Sequence, residues 1–449
     1  MNFSTSQLFK HSAIGTAVFA ALAANAIVPV LDTSSVTVTQ RPDRTVVIEY
    51  TMNPAAANDD GAAIVTVDIL TNAVGEAAAS VGGEHLQTLS GDVNKIVTHT
   101  ANYKHMILWE PKDEGMGEWT LPAAQVTAKV SLWATNSPPA YWVIDLTQPT
   151  DRMADRYYPE AGQIPLGVTN VLYKTDRLVM RRIPAKGVTW RMGSSASVGF
   201  STYHYVTFSR DYWMAIYEMT QAQATNLVPT TYKQETWGSG VGPAKPYTCW
   251  NEWGTYGNLR TGASATSGWP VQGHEITSTG CLLYKIRTGL GGIMADLPTE
   301  AEWEFACRAG TSTSCPWGDS TSDYADYAWL KGNSGTTSDG YSKYDVATHD
   351  VGLKKPNNWG LYDMIGNIWE FCLDFQSNKS DAPVWDPEGA AYDDVDNGYS
   401  ADYKYARCAR GGCYYSAANV TSTTAIGSKL TAGGGARSHC GFRICIEIP

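Results

Sequence analysis

Apolar and polar positions alternate with period two through the first third of the chain. Val36-Thr37-Val38-Thr39 and Thr45-Val46-Val47-Ile48-Glu49-Tyr50 flank a turn at Pro42-Asp43-Arg44. Ile64 to Ile69 is another strand candidate, and Lys104 to Trp109, Gln125 to Trp133 and Tyr141 to Leu146 follow it. About seven short strands in this span predict a β-sandwich of immunoglobulin or fibronectin type over residues 33–147. No cysteine lies in it, so burial alone must hold its core, and it carries no catalytic constellation. A spacer or docking module is the expectation. The pattern then breaks. Pro149, Pro159 and Pro165 interrupt residues 148–176, which read as a connector.

From residue 177 to 449 regular periods are sparse. Val206 to Phe208 and Tyr212 to Tyr217 read as strands, and Gly280 to Thr288 as a helix. The sharpest element is Leu297 to Gly310. Thr299 with Glu302 makes a capping box, and Glu300, Glu302 and Glu304 crowd the positive end of the helix dipole. Glu304 and Arg308 form an i,i+4 pair, and Gly310 can end the helix in a left-handed conformation. Ala301 and Phe305 share a face, with Trp303, Ala306 and Cys307 close by. This helix is expected to be the hub of the larger domain.

Composition adds three constraints. A 449-residue chain is too long for one core. Charged residues are only 17% and the net charge is −11, which argues against a nucleic-acid partner. The 16 Trp, 25 Tyr and 42 Gly suggest loop-rich structure pinned by aromatic side chains. At the N-terminus, Lys10 and His11 precede the apolar run Ala13 to Ala24, and Ala24-Asn25-Ala26 fits a cleavage site. Residues 1–26 therefore read as a signal peptide, with an uncleaved anchor as the alternative. Export to the periplasm, cell surface or medium is expected, with no membrane span after cleavage. All nine Cys lie at or after Cys249, and in an exported chain disulfides are the default.

Several segments of the second domain, taken in order, resemble one family. They are Trp190-Arg191-Met192-Gly193-Ser194, Tyr217-Glu218-Met219-Thr220, Leu297 to Gly310, Tyr327-Ala328-Trp329 with Gly332-Asn333-Ser334, Gly360 to Glu370, Arg410-Gly411-Gly412 and Gly441-Phe442-Arg443. The combination resembles the formylglycine-generating enzyme, or sulfatase-modifying factor, family. The resemblance implies a loop-rich α+β variant of the C-type lectin fold over 177–449.

It also implies a chemistry that these residues do not repeat. The family's enzymes bind copper through two cysteines five residues apart and oxidise a cysteine of a sulfatase peptide to formylglycine. The matching positions here are Ser416 and Thr421, and hydroxyls are poor Cu(I) ligands, so a copper site is not expected. Cys408 and Cys413 have the same spacing in an alternate register, yet five residues place two side chains on opposite faces of a regular strand. A structural calcium ion is implied at Asp363 and Glu370, with the carbonyls of Gly366 and Ile368, because calcium takes several hard oxygens from a flexible loop. A second calcium region falls around Asp339 to Asp345. The resemblance implies disulfides at Cys281 and Cys307, with Cys445 and Cys440 as the partners suggested here. Asp393-Asp394-Val395-Asp396 reads as a solvated loop or a weak cation site.

Between the Arg-Gly-Gly and Gly-Phe-Arg segments lies a low-charge tract rich in Tyr, Ser, Ala, Asn and Thr. Its opening residues Tyr414, Tyr415, Ser416, Asn419 and Thr421 have the composition of adaptable binding surfaces. Some members of this fold are variable proteins of diversity-generating retroelements, which vary such a tract. His439, beside Cys440, can reach the same face. Two functions follow as expectations: an exported protein displaying the tract to a protein or glycan ligand, or an oxidase acting on sulfatase-type peptides.

Overall fold

The alternating stretches of the first third form strands, and they pair in two antiparallel sheets. The computed structural model describes residues 28–54, 61–71, 77–116, 126–193, 203–229, 240–248, 259–260, 276, 279–335, 348–375, 383–387, 407–417 and 439–448. These fall into two units, one running to Val81 and including Leu89–Pro138, the other comprising Gly82–Thr88 and Pro139 onward. In the first unit, Val30–Gln40 and Val46–Asn53 form a hairpin that His105–Trp109 and Ser90–Gly91 extend. Arg41 N–H donates to Thr45 O at 2.9 Å to close the hairpin, with Arg44 left-handed at φ 78°. The second sheet centres on Ala62–Thr71, flanked by Val126–Trp133, Ile96–Thr98 and Ala79–Ser80. Val46, Ile48, Tyr50 and Met52 alternate into the core, as period-two burial requires. Trp133 Nε1 donates to Thr66 Oγ1 at 2.7 Å, so a polar tip on an aromatic ring is satisfied.

The strand expected at Tyr141 to Leu146 forms as Tyr141–Asp145, but it is not part of that unit. It pairs antiparallel with Arg177–Ile183 in the five-stranded sheet of the second unit. The order there is Arg156–Tyr158, Tyr141–Asp145, Arg177–Ile183, Tyr212–Ala215, Cys445–Glu447. Every residue of Tyr141–Asp145 is buried. A sheet covered on both faces produces that pattern, and a half-exposed sandwich strand does not. The expected connector is likewise part of this unit. Arg156–Tyr158 is the sheet's edge strand, and Tyr158, Ile164 and Tyr173 anchor the rest of the segment in the core. Its prolines end regular elements without freeing the chain.

The sheet divides two cores by alternation. Trp142, Ile144, Leu178, Met180, Trp213 and Ala215 face one, which is covered by helices Gln221–Leu227 and Leu282–Gly289. Tyr141, Val143, Val179, Ile183, Tyr212 and Met214 face the other, covered by helix Glu300–Arg308. That helix carries the capping box: Thr299 N–H donates to Glu302 Oε2 at 2.7 Å and Glu302 N–H to Thr299 Oγ1 at 3.2 Å. Ala309 already takes the left-handed turn at φ 47°, one residue earlier than expected, and Gly310 follows at φ 85°. All nine residues of the helix are buried. Two three-stranded sheets complete the unit, Thr189–Met192 with His204–Thr207 and Val384–Trp385, and Arg407–Arg410 with Trp369–Phe375 and Cys440–Gly441. Among the described residues no helix is long and apolar enough to cross a membrane. The expected signal at 1–26, Asp339 to Asp345 and Asp393 to Asp396 lie outside the described residues.

Candidate functional site

The arginines of the two closing motifs are buried and held by carboxylates. Arg410 Nη2 lies 2.5 Å from Glu300 Oε1 and 3.1 Å from Glu304 Oε2, while Glu304 also takes Arg308 at 2.8 Å. Arg443 grips Glu370 with two bonds of 2.5 and 2.6 Å and donates to the carbonyls of Ala215 and Tyr362. Trp303 Nε1 donates to Glu370 Oε2 at 2.8 Å. Charges this deep persist only when paired and hydrogen-bonded. These motif residues are therefore a scaffold, and they fix the strand Arg407–Arg410 and the turn beyond it.

Gly411 and Gly412 make that turn, both with positive φ. A Cβ on Gly411 would lie 2.8 Å from Met364 O, so the close approach needs glycine. The chain emerges as the short turn Cys413 to Ala417, strapped at several points. Tyr414 N–H donates to Asn367 O at 2.9 Å, Ser334 Oγ donates to Tyr414 O at 2.7 Å, and Lys331 N–H donates to Ser416 O at 3.1 Å. Ser416 N–H donates to Cys413 O at 2.8 Å, and Cys413 N–H donates to Ser416 Oγ at 3.0 Å. Tyr414 is buried, whereas Tyr415 is 38% exposed. The Tyr415 hydroxyl and His439 Nε2 share a hydrogen bond of 2.7 Å, with the rings edge-to-face at 4.7 Å. The structure thus brings Tyr415 and His439 together, and leaves Ser416 part-buried with its hydroxyl engaged by Cys413. Asn419 and Thr421 lie outside the described residues.

Asn367 is the nexus that residue-type reasoning left in the background. It adopts φ 55°, a conformation asparagine tolerates. Its Nδ2 donates to Glu218 Oε2 at 2.6 Å, its Oδ1 accepts from His349 N–H at 2.9 Å, and its backbone holds Trp329 and Tyr414. Below it, Asp363 Oδ2 accepts from Gly352 N–H at 2.7 Å, while Oδ1 is buried without a hydrogen-bond partner. Burial pushes the Asp363 carboxyl up to about 6, against the pull of the Gly352 amide and Arg443. An orphaned buried carboxylate oxygen in a loop fits a hard cation. Glu370 does not offer a ligand in the same way, since Arg443 and Trp303 take its two oxygens. Among the described residues no three His, Cys, Asp or Glu side chains converge as metal ligands. Calcium would rest on Asp363 with the carbonyls of Gly366 and Ile368, and would serve the fold.

The cysteines differ from the pairing the resemblance implied. The eight described cysteines are buried thiols, and Cys249 lies outside the described residues. Cys281 caps helix Leu282–Gly289, its sulfur accepting from Tyr284 N–H at 3.4 Å, and Cys445 points into the core beneath helix Glu300–Arg308. Cys307 and Cys440 lie in the two different cores, so the sheet separates them. Cys408 points into the core beneath helix Glu300–Arg308, whereas Cys413, beyond the glycine turn, is 3.5 Å from Ser416 Oγ. Burial pushes the Cys413 thiol up to about 11, so it is not a thiolate at neutral pH.

Comparison with known proteins agrees with this scaffold. Residues 181–448, more than half of the chain, match the profile of the sulfatase-modifying factor enzyme 1-like domain. The mouse formylglycine-generating enzyme is 32% identical over 139 residues, covering 29% of this chain and 36% of its own length. That of Mycobacterium tuberculosis is 42% identical over 78 residues, 17% of this chain and 25% of its own. The bovine inactive Cα-formylglycine-generating enzyme 2 is 33% identical over 114 residues, 24% and 35% of the two chains. The chain thus spans about a third or less of the length of these curated relatives. Among solved structures, Treponema denticola variable protein 1 superposes with a TM-score of 0.44 at 22% identity, covering 60% of this chain and 95% of its own. With the capped helix, the Arg410 and Arg443 ion pairs and the Asn367 loop all in place, the chain belongs to the family of sulfatase-modifying factor enzyme 1-like domains.

Proposed function

We propose that this protein is an exported ligand-binding member of its family that has lost the copper chemistry. The observation that carries this is the turn Cys413 to Ala417. At the first copper position stands Ser416, whose hydroxyl is engaged with Cys413 and whose backbone is tied to Lys331. Cu(I) needs soft, accessible thiolates, and every described cysteine is a buried thiol. The same turn presents Tyr415 with His439, a rigid aromatic group with a polar tip, as recognition surfaces use. The ligand is a protein or a glycan, met by Tyr415, Ser416 and the following residues including Asn419 and Thr421. The leader at 1–26 would carry the chain out, and retroelement-driven variation of the tract would change the ligand. Calcium at Asp363, Gly366 and Ile368 would be structural.

An oxidase reading is favoured by one observation: the chain matches parts of proteins named formylglycine-generating enzyme. Purified protein with Cu(I), oxygen and a Cys-x-Pro-x-Arg peptide separates the two. No aldehyde in the peptide mass spectrum is expected. An aldehyde that disappears when Cys408 and Cys413 are replaced by Ser establishes the oxidase instead. Binding is read on glycan and protein arrays, where Tyr415→Ala should weaken every hit about tenfold or more, as loss of an aromatic anchor does. A near-copy of the 3′ coding end differing at adenines, beside a reverse transcriptase gene, tests diversification. For calcium, the thermal midpoint should fall on adding chelator, and Asp363→Asn should remove that response. A midpoint indifferent to chelator rules the ion out.

A further inference from the structure

Cys372 and Cys408 are used by nothing described so far. They lie in adjacent antiparallel strands whose register runs Glu370↔Arg410, Phe371↔Ala409 and resumes at Phe375↔Arg407. Three residues, 372 to 374, therefore face the single residue Cys408, which makes a bulge. Phe371 and Ala409 point together into one core, and Cys372 and Cys408 point together into the other. Both thiols are fully buried and close enough to perturb one another, and the Cys372 sulfur lies 4.0 Å from the Glu370 carbonyl oxygen. Neighbouring strands of a sheet lie about 4.8 Å apart and a disulfide spans Cα separations of about 4.4–6.8 Å, so two cysteines turned to the same face on adjacent strands are within its reach.

We propose that Cys372 and Cys408 are a matched cross-strand dithiol that closes into a disulfide during folding. The step needs an oxidant of the disulfide class, such as oxidised glutathione. One protein thiolate attacks it, forming a mixed disulfide and releasing one glutathione thiolate. The second protein thiolate attacks the protein sulfur of that intermediate and releases the other. The protein loses two electrons and two protons, and the oxidant becomes two thiols. Burial raises both thiols, Cys372 the more, so neither is a thiolate in the folded state and exchange belongs to the stage before the strands close. Once formed, the bond would be shielded from reductant by the same burial. It would tie the strand bearing Glu370 to the strand bearing Arg410, directly before the turn at Cys413. The inference rests on the export part of the proposed function, which supplies an oxidising compartment, and not on ligand binding.

The test is a disulfide map of the full chain produced in an oxidising compartment of a bacterial host. The protein is denatured without reductant, alkylated and digested. The expected product is one peptide pair joining Cys372 to Cys408, lighter by two hydrogens than the separate peptides. Cys372→Ser and Cys408→Ser should each abolish it and leave the other thiol alkylated. Reductant applied under partial denaturation should lower the thermal midpoint of the wild type and not that of the double variant. Alkylation of both cysteines in the wild-type protein overturns the proposal, as does a map in which either is joined to another cysteine.

Discussion

Asp155 lies buried with neither carboxylate oxygen accepting a hydrogen bond, and Arg152, at 3.4 Å, is its counter-ion. Burial pushes its carboxyl up from 3.8 to about 6, against the pull of Arg152. The folded state therefore holds this proton more tightly than the unfolded chain does. The resulting stability is fully present below about pH 4 and is lost as pH rises through about 6. Asp155→Asn removes the titration, so the variant should gain on the wild type between pH 4 and pH 7 by about 2 kcal/mol. Denaturant melts of both proteins at the two pH values measure this, and parallel pH profiles would refute it. At the scale of residues the sequence is legible over short separations and opaque over long ones. The Glu304–Arg308 pair follows from helical spacing. The Arg410–Glu300 pair spans 110 residues, and only the fold brings it together. The same holds for Tyr415 with His439, where the composition of the tract pointed to the surface and the packing supplied the partner.

Among the elements, helix Glu300–Arg308 was the most readable because its ends are written in side chains. The hydroxyl of Thr299 accepts from Glu302 N–H, and the Glu302 carboxylate accepts from Thr299 N–H and Oγ1. Thr299→Ala leaves one helix N–H and part of a buried carboxylate without a partner. Such a loss costs about 1–2 kcal/mol, whereas Thr299→Ser keeps the oxygen and should stay within a few tenths. Denaturant midpoints at unchanged slope are the measurement, and equal midpoints for the two variants would show that the cap contributes nothing. The strand Tyr141–Asp145 was readable as a strand but not as to its place. Tyr-Trp-Val-Ile is apolar on both faces, and that lack of alternation is the mark of a covered sheet. Neighbourhood in sequence pulled it toward the sandwich, while burial assigns it to the second unit. Prolines likewise marked where elements stop in 148–176 but could not show Tyr158 and Tyr173 anchored in the core.

At the scale of the molecule, the family match and the folding unit do not coincide. The matched region starts at residue 181, inside the strand Arg177–Ile183, whereas the sheet of that unit needs Tyr141–Asp145. A chain beginning at Arg177 loses five residue pairings along that strand. It also removes Tyr141 and Val143 from one core and Trp142 and Ile144 from the other. Each buried side chain of this kind stabilises by about 1.5–3 kcal/mol, so the four together rival the about 5–15 kcal/mol that holds a whole domain. A chain beginning at Pro139 keeps the full sheet. What it loses is Gly82–Thr88, whose Gln87 donates to Gly162 O at 3.2 Å and accepts from Leu166 N–H at 2.9 Å. Two exposed bonds are worth about 1 kcal/mol each at most, and the buried Leu86 adds about 1.5–3 kcal/mol, still well short of the four core side chains that the shorter chain lacks. The longer fragment should therefore be soluble and unfold cooperatively, with the shorter one aggregated or lacking a transition in circular dichroism. A cooperative transition from the fragment beginning at Arg177 would show that the sheet closes without Tyr141–Asp145, and the first two strands would then be an accessory to the family fold.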